Sequence, residues 1–196
     1  MNSTPDPRPL FQRATEQLAA LIRTVRPEQL AAPTPCSDYD VRTLLSHIVG
    51  VAHRIGVVGE GGDLLAVPAL AEDVPDDGWG VAYEETRARA IAAWADSARL
   101  DAQMEMPWGP TPGRTALSGF VMELVTHAWD LSEGLGRPLV LDQELAEFAR
   151  AFARQALPAD RRGEGVPFEA VLPAPEGADA YGQLAAWLGR RPLADR

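Results

Sequence analysis

The chain reads as a mainly α protein, a four-helix bundle followed by a short C-terminal α/β extension. Three observations predict this. Four segments, at about 10–25, 40–58, 81–100 and 115–133, repeat apolar residues at three- and four-residue steps, the period of a helix that buries one face. These segments follow one another with no strand–helix–strand alternation, which argues against a parallel sheet. With 196 residues, 46% of them hydrophobic, the chain has the size of one domain with a small appendage and enough apolar material for a proper core. The bundle is assigned to residues 1–138 and the extension, packed on it, to residues 139–196.

The first helix follows a polar, proline-rich start, Met1 to Pro9, which has no signal-peptide pattern. Its stripe is Leu10, Phe11, Ala14, Leu18, Leu21, Ile22 and Val25, and Pro27 should end it. Ala31 to Tyr39 is a proline-broken connection. Asp40 is a good N-cap for the second helix, whose stripe is Val41, Leu44, Leu45, Ile48, Ala52 and Ile55. His47 sits at the edge of that stripe. His53 lies six residues later, about 240° round the helix, so the two histidines cannot share a face; His53 reads as a solvated residue.

Glycines at 56, 59, 61 and 62, then acids and prolines up to Gly78, mark a long loop of the kind that is functional or mobile. Its acids Glu72, Asp73, Asp76 and Asp77 read as a solvated face. The third helix carries Tyr83, Ala90, Ile91 and Trp94. Met104 to Thr111 is extended, with Trp108 before a Gly-Pro turn. The fourth helix stops at Gly134 and Gly136, glycine C-cap chemistry. In the extension, a fifth helix covers about Gln143 to Leu157 with Leu145, Phe148, Ala149 and Phe152. A short strand at Val166 to Leu172 and a last helix at Tyr181 to Leu188 complete the chain. There is no internal repeat.

Composition removes several function classes. A net charge of −10 argues against nucleic acid, which demands clustered positive charge. All 18 basic residues are arginine, so Schiff-base chemistry and a P-loop lysine are excluded. Arginine-only basicity with abundant Ala, Gly and Pro points to a GC-rich genome. The single cysteine, Cys36, excludes an internal disulfide framework and a cysteine-based zinc site. Cys36 reads as a small buried hydrophobe, against the alternative of a thiol activated by the following helix N-terminus. No apolar run approaches the ~20 residues of a membrane span, and the expected compartment is the cytoplasm. Bundles of this type often pair, so a homodimer is a further expectation, although no heptad seam specifies one.

The chemistry concentrates at Glu123-x-x-x-His127 in the fourth helix. A spacing of four places both side chains on one helix face, one turn apart. The neighbours Met122, Leu124, Val125, Ala128 and Leu131 are apolar, so the pair faces a bundle interior. A carboxylate and an imidazole are costly to bury without partners, and a divalent cation satisfies both. Two readings of His47 stand side by side: a histidine packed at a helix contact, or a third ligand. Asp130 shares the face of Glu123 and His127. It either orients a ligand from behind or pairs with Arg137. Trp129 reads as packing.

T-P-C-S-D-Y-D-V-R-T-L-L-S-H at 34–47, E-L-V-T-H-A-W-D-L at 123–131, G-R-P at 136–138 and W-L-G-R-R-P at 187–192 together cover nearly the whole chain in order. In these stretches the sequence resembles the DinB-like (YfiT-like) metal-binding four-helix bundle in its actinobacterial branch. That branch is the metal-binding domain of mycothiol-dependent maleylpyruvate isomerases and their uncharacterised relatives. The resemblance implies a divalent metal held by His47, Glu123 and His127, with positions left open for water or substrate. Zinc is the first choice, and nickel or iron accept the same ligands. It also implies mycothiol as cosubstrate. The isomerase carries a distinct C-terminal domain that the residues after Pro138 do not obviously reproduce, so the resemblance extends to a thiol-binding metal site rather than to isomerisation itself.

Three functions follow as expectations. The first is a metal-dependent enzyme that uses a low-molecular-weight thiol for transfer, conjugation or isomerisation of a small electrophile. The second is a metal-dependent hydrolase whose base would be Asp130 or a loop acid. The third is a metal- or ligand-binding module without catalysis.

Overall fold

Five helices cover the first two-thirds of the chain: α1 (Arg8–Ile22), α2 (Val41–Gly59), α3 (Trp79–Ala93), the five-residue α4 (Ser97–Asp101) and α5 (Gly113–Gly134). The computed structural model describes residues 5–162 and 168–193. Helix α2 packs on both α3 and α5, and α1 closes the ring by packing on the same two, which makes α1, α3, α2 and α5 a four-helix bundle. The predicted stripes supply its core. Phe11, Leu18, Leu21, Leu44, Leu45, Ile48, Ile55, Tyr83, Trp94, Leu117, Val121 and Leu124 are all buried.

Local chemistry sets the helix ends. Asp40 caps α2 as predicted, its Oδ1 accepting from the Thr43 N–H at 2.8 Å. Helix α1 ends at Ile22 rather than Val25 because the last turn tightens: Thr24 and Val25 donate three residues back, to Leu21 and Ile22. Arg26 is then extended, as the following Pro27 requires. The predicted third helix is two helices. Trp94 ends α3 and donates its indole N–H to Ile55 O at 2.9 Å, and Asp96 restarts the chain as the N-cap of α4. Val81 is 66% exposed and takes no part in the core.

The extended stretch is a hairpin, β1 (Gln103–Met106) paired antiparallel with β2 (Gly109–Pro112). Met104 and Met106 point into the core and Trp108 stands at the turn, 70% exposed.

The glycine-rich loop is shorter than predicted, since Gly56 and Gly59 belong to α2 and serve packing. A Cβ on Gly59 would lie 2.8 Å from the Trp94 ring. The rest runs back along α2 as a strap. Arg54 donates to Val67 O, Ser46 to Ala71 O, and Arg42 forms an ion pair with Asp76, so that acid is pinned rather than merely solvated. At Gly50 the strap passes so close that a Cβ would sit 2.5 Å from Ala69 O.

Helices α6 (Gln143–Ala156) and α7 (Ala180–Trp187) pack on one another and on α5. Leu145, Ala149, Tyr181, Leu184 and Leu188 join the same hydrophobic cluster as the bundle. Of the strand expected at Val166 to Leu172, residues 166–167 lie outside the described residues, and 168–172 are not a strand. Among the described residues one helix, Val41–Gly59, is long and apolar enough to cross a membrane by length and composition, and most of it is buried inside the bundle.

Candidate metal centre

His47, at mid-α2, faces Glu123 and His127, one turn apart on α5. Both histidine Nε2 atoms lie 3.3 Å from the same oxygen, Glu123 Oε1. The two imidazole rings meet edge to face with centroids 4.8 Å apart. One ligand atom from each of the three residues lies within 4.8 Å of the others. Two donors bound to one cation at about 2.0–2.1 Å with tetrahedral angles stand about 3.3 Å apart, so the N···O separations fit a shared metal. The histidine–histidine–carboxylate donor set suits a divalent cation and leaves coordination positions over.

The three side chains differ in their surroundings. His127 is 5% exposed, and the Glu123 side chain keeps 27% of its surface, which makes the carboxylate the open edge of the cluster. Burial alone would raise the Glu123 carboxyl, but the charge of His127 and hydrogen bonds from both histidines outweigh it and hold it well below the usual range. Burial likewise pulls His127 down, yet the Glu123 charge and the hydrogen bonds to Asp130 and Glu123 prevail and push it up to about 9. Without a cation, the cluster therefore holds a proton in its place.

Asp130 lies behind His127 and is not the partner of Arg137. Its Oδ2 lies 3.0 Å from His127 Nδ1, and the carboxylate is fully buried. Accepting from Nδ1–H fixes the tautomer that presents the Nε2 lone pair to the cluster. Arg137 instead pairs with Glu133, one turn away. The cation that neutralises Asp130 is Arg190, whose Nε is 2.9 Å from both carboxylate oxygens.

Arg190 was not among the expected site residues. It arrives from beyond α7, 60 positions away, and a helix C-cap aims it. Gly189 adopts φ 79°, its N–H bonds to Ala186 O, and the Arg190 N–H returns to Ala185 O at 2.8 Å. A side chain at Gly189 would also collide with Glu169, its Cβ 2.6 Å from that residue's own. The only sequence signal was the Gly-Arg pair closing a helix.

The remaining candidates fall as follows. Tyr39 packs its ring 5.2 Å from that of His47. His53 is half-buried, away from the cluster, with Arg89 Nη1 3.0 Å from its Nε2. Trp129 is buried as packing. Cys36 is half-buried, and burial pushes its thiol up, which favours the inert reading over the activated one.

Comparison with known proteins gives a consistent picture. Residues 11–132 match the family model described as the mycothiol maleylpyruvate isomerase N-terminal domain. Two uncharacterised proteins of Mycobacterium tuberculosis, from strains CDC 1551 / Oshkosh and ATCC 25618 / H37Rv, are each 34% identical over 185 residues, 94% of this chain and 98% of theirs. Among solved structures, the chain is similar to mycothiol-dependent maleylpyruvate isomerase at a TM-score of 0.61 and to a point mutant of it at 0.64. Each match is 16% identical and covers 83% of this chain and 75% of the other, a likeness of fold.

Proposed function

Since the chain belongs to the mycothiol maleylpyruvate isomerase N-terminal domain family, we propose that it is a metal-dependent enzyme that uses a low-molecular-weight thiol, mycothiol, to transfer, conjugate or isomerise a small electrophile. The observation that carries this reading is the convergence of His47 Nε2 and His127 Nε2 on Glu123 Oε1, backed by Asp130 and Arg190. His47, Glu123 and His127 would hold a divalent cation, zinc by first choice and nickel or iron by the same ligands, which would supply Lewis acidity and make a thiol more acidic at neutral pH.

The chain's own residues position and insulate. Asp130 orients His127 with its Nε2 towards Glu123, and Arg190 pairs with both oxygens of the buried Asp130 carboxylate. The half-exposed Glu123 edge is where thiol and electrophile would enter. Tyr39 walls the His47 side. A cytoplasmic setting suits such an enzyme, since thiols stay reduced there.

Hydrolysis fits less well. Both oxygens of Asp130 are engaged by Arg190, and Oδ2 also by His127, so it is not free to act as a base; the loop acid Asp76 is tied to Arg42. The test is to incubate zinc-loaded and metal-free protein with mycothiol and chlorodinitrobenzene. Metal-dependent thiol consumption is expected. Turnover of ester, amide or phosphoester panels without thiol, and none of the conjugation, would overturn the reading.

A further inference from the structure

The arginines of this chain are distributed unevenly with respect to acids. Among the described residues, ten form ion pairs with carboxylates, nine of them within the first 137 positions. The bundle holds two others, Arg54 and Arg99, whose guanidinium groups donate to the main-chain carbonyls of Val67 and Val58. Beyond residue 139 the pattern reverses. Among the described residues, Arg150, Arg154, Arg161, Arg162 and Arg191 have no carboxylate within ion-pair distance, and of the arginines there only Arg190 has one. Guanidinium groups without a carboxylate partner therefore gather in this part of the chain, although its nine acids outnumber its seven arginines.

Two of these cations border a groove. It has a volume of about 370 Å³ and lies between α6, α7 and the segment 171–178. Arg150 and Arg154 stand on its α6 side, and Gln183 and Trp187 on its α7 side. Leu172 and Pro175 form the opposite wall, and no acidic residue lines it. Arg150 reaches only the neutral amide of Gln183, and the Arg154 guanidinium lies over the Trp187 ring, 5.1 Å from its centroid. A guanidinium held against an aromatic face is desolvated on one side and ready for an anion on the other. Trp187 also carries a buried indole N–H with no acceptor.

From this geometry we infer that the groove between α6 and α7 is a second binding site, for a small organic anion with an apolar, flat body. Arg150 and Arg154 take the anionic group, while Leu172, Pro175 and the Trp187 ring cover the body. The groove is open to solvent on one side, so the body would lie against its Leu172, Pro175 and Trp187 wall while the polar groups set its orientation. A carboxylate matches the guanidinium fork. The groove shares no residue with His47, Glu123 and His127, so occupancy does not require a metal.

The experiment is calorimetric titration of 2-naphthoate into the full metal-free chain, beside 2-naphthalenemethanol as the neutral counterpart and inorganic phosphate as the anion without a body. Saturable binding of one equivalent of naphthoate is expected, with each control at least about tenfold weaker, because each lacks one of the two recognised features. Equal binding of the neutral alcohol, or of phosphate, overturns the assignment on the wild-type protein alone. Arg150→Gln with Arg154→Gln, the first half-buried and the second exposed, should bring naphthoate down to the level of the alcohol while leaving the circular dichroism unchanged. Undiminished binding by that variant also overturns it. His127→Ala should bind naphthoate like the wild type; loss there would place the ligand at the metal cluster instead.

Discussion

Helices α2 and α5 face each other across the cluster, and they present their histidines in different ways. On α5, His127 is 5% exposed and gripped from behind by Asp130, which is itself clamped by Arg190. On α2, His47 has no such chain: its Nδ1 is buried without a partner. One imidazole is held in orientation by its Nδ1 contact before any cation arrives, and the other has only the packing of Tyr39 and its contact with Glu123 to hold it. The α5 half of the site is preorganised by hydrogen bonds, while the α2 half would be organised by the ligand it binds.

The strongest way to break this comparison is to remove ligands. His127→Ala should abolish stoichiometric metal, read by elemental analysis, while the helical circular dichroism survives, because the bundle core does not depend on it. Full retention of metal would sink the triad. His47→Ala should abolish metal as completely, but its cost to the metal-free fold should be only about 1 kcal/mol by chemical denaturation.

The supporting chain should show the opposite profile. Asp130→Ala leaves Arg190, with 11% of its side chain exposed, as an uncompensated buried charge. That should cost about 3–5 kcal/mol of stability. Adding Arg190→Met should recover most of it, since no lone charge then remains. In both variants metal affinity should fall about 10- to 100-fold, the usual effect of losing a group behind a ligand. A double variant no more stable than Asp130→Ala would show that an uncompensated Arg190 charge is not the source of the loss.

The last effect is one of pH, and its sign separates the metal-free protein from the loaded one. His127 is raised from the ordinary 6.5 to about 9, chiefly by Glu123 against the pull of burial. The stability this gives the metal-free protein is fully present below pH 6.5 and is lost as pH rises through about 9. A cation must displace that proton, so metal affinity should climb about tenfold per pH unit over the same window. Thermal melts with and without zinc at pH 6, 7.5 and 9 should diverge. Parallel curves would mean that His127 is not the proton-bearing ligand.

The sequence by itself determined the bundle and half of the site. Stripes at helical period place Leu44, Ile48 and Ile55 or Leu124, Ala128 and Leu131 on one face wherever the chain folds, because the period is a property of the backbone. Glu123 and His127 were legible for the same reason, since four residues make one turn. The break between α3 and α4 was written in Asp96-Ser97, but the apolar residues continue across it at helical spacing and hide it. Glycines 56 and 59 look like loop residues in sequence and are packing residues in space, which only the neighbouring Trp94 and Ala90 reveal.

What tertiary structure alone decided is which distant groups meet. Placing His47 against Glu123 needs the lateral order and relative shift of two helices, quantities set by the whole core and by no local signal; only the family resemblance anticipated that meeting. The partner of Asp130 was one of 18 chemically identical arginines, and hydrogen-bond chemistry cannot rank them. The C-cap at Gly189, the fit of α7 on α6 and the close approach of Glu169 select Arg190. A buried charge dictates that a partner must exist, and only the packing of the chain around it dictates which one.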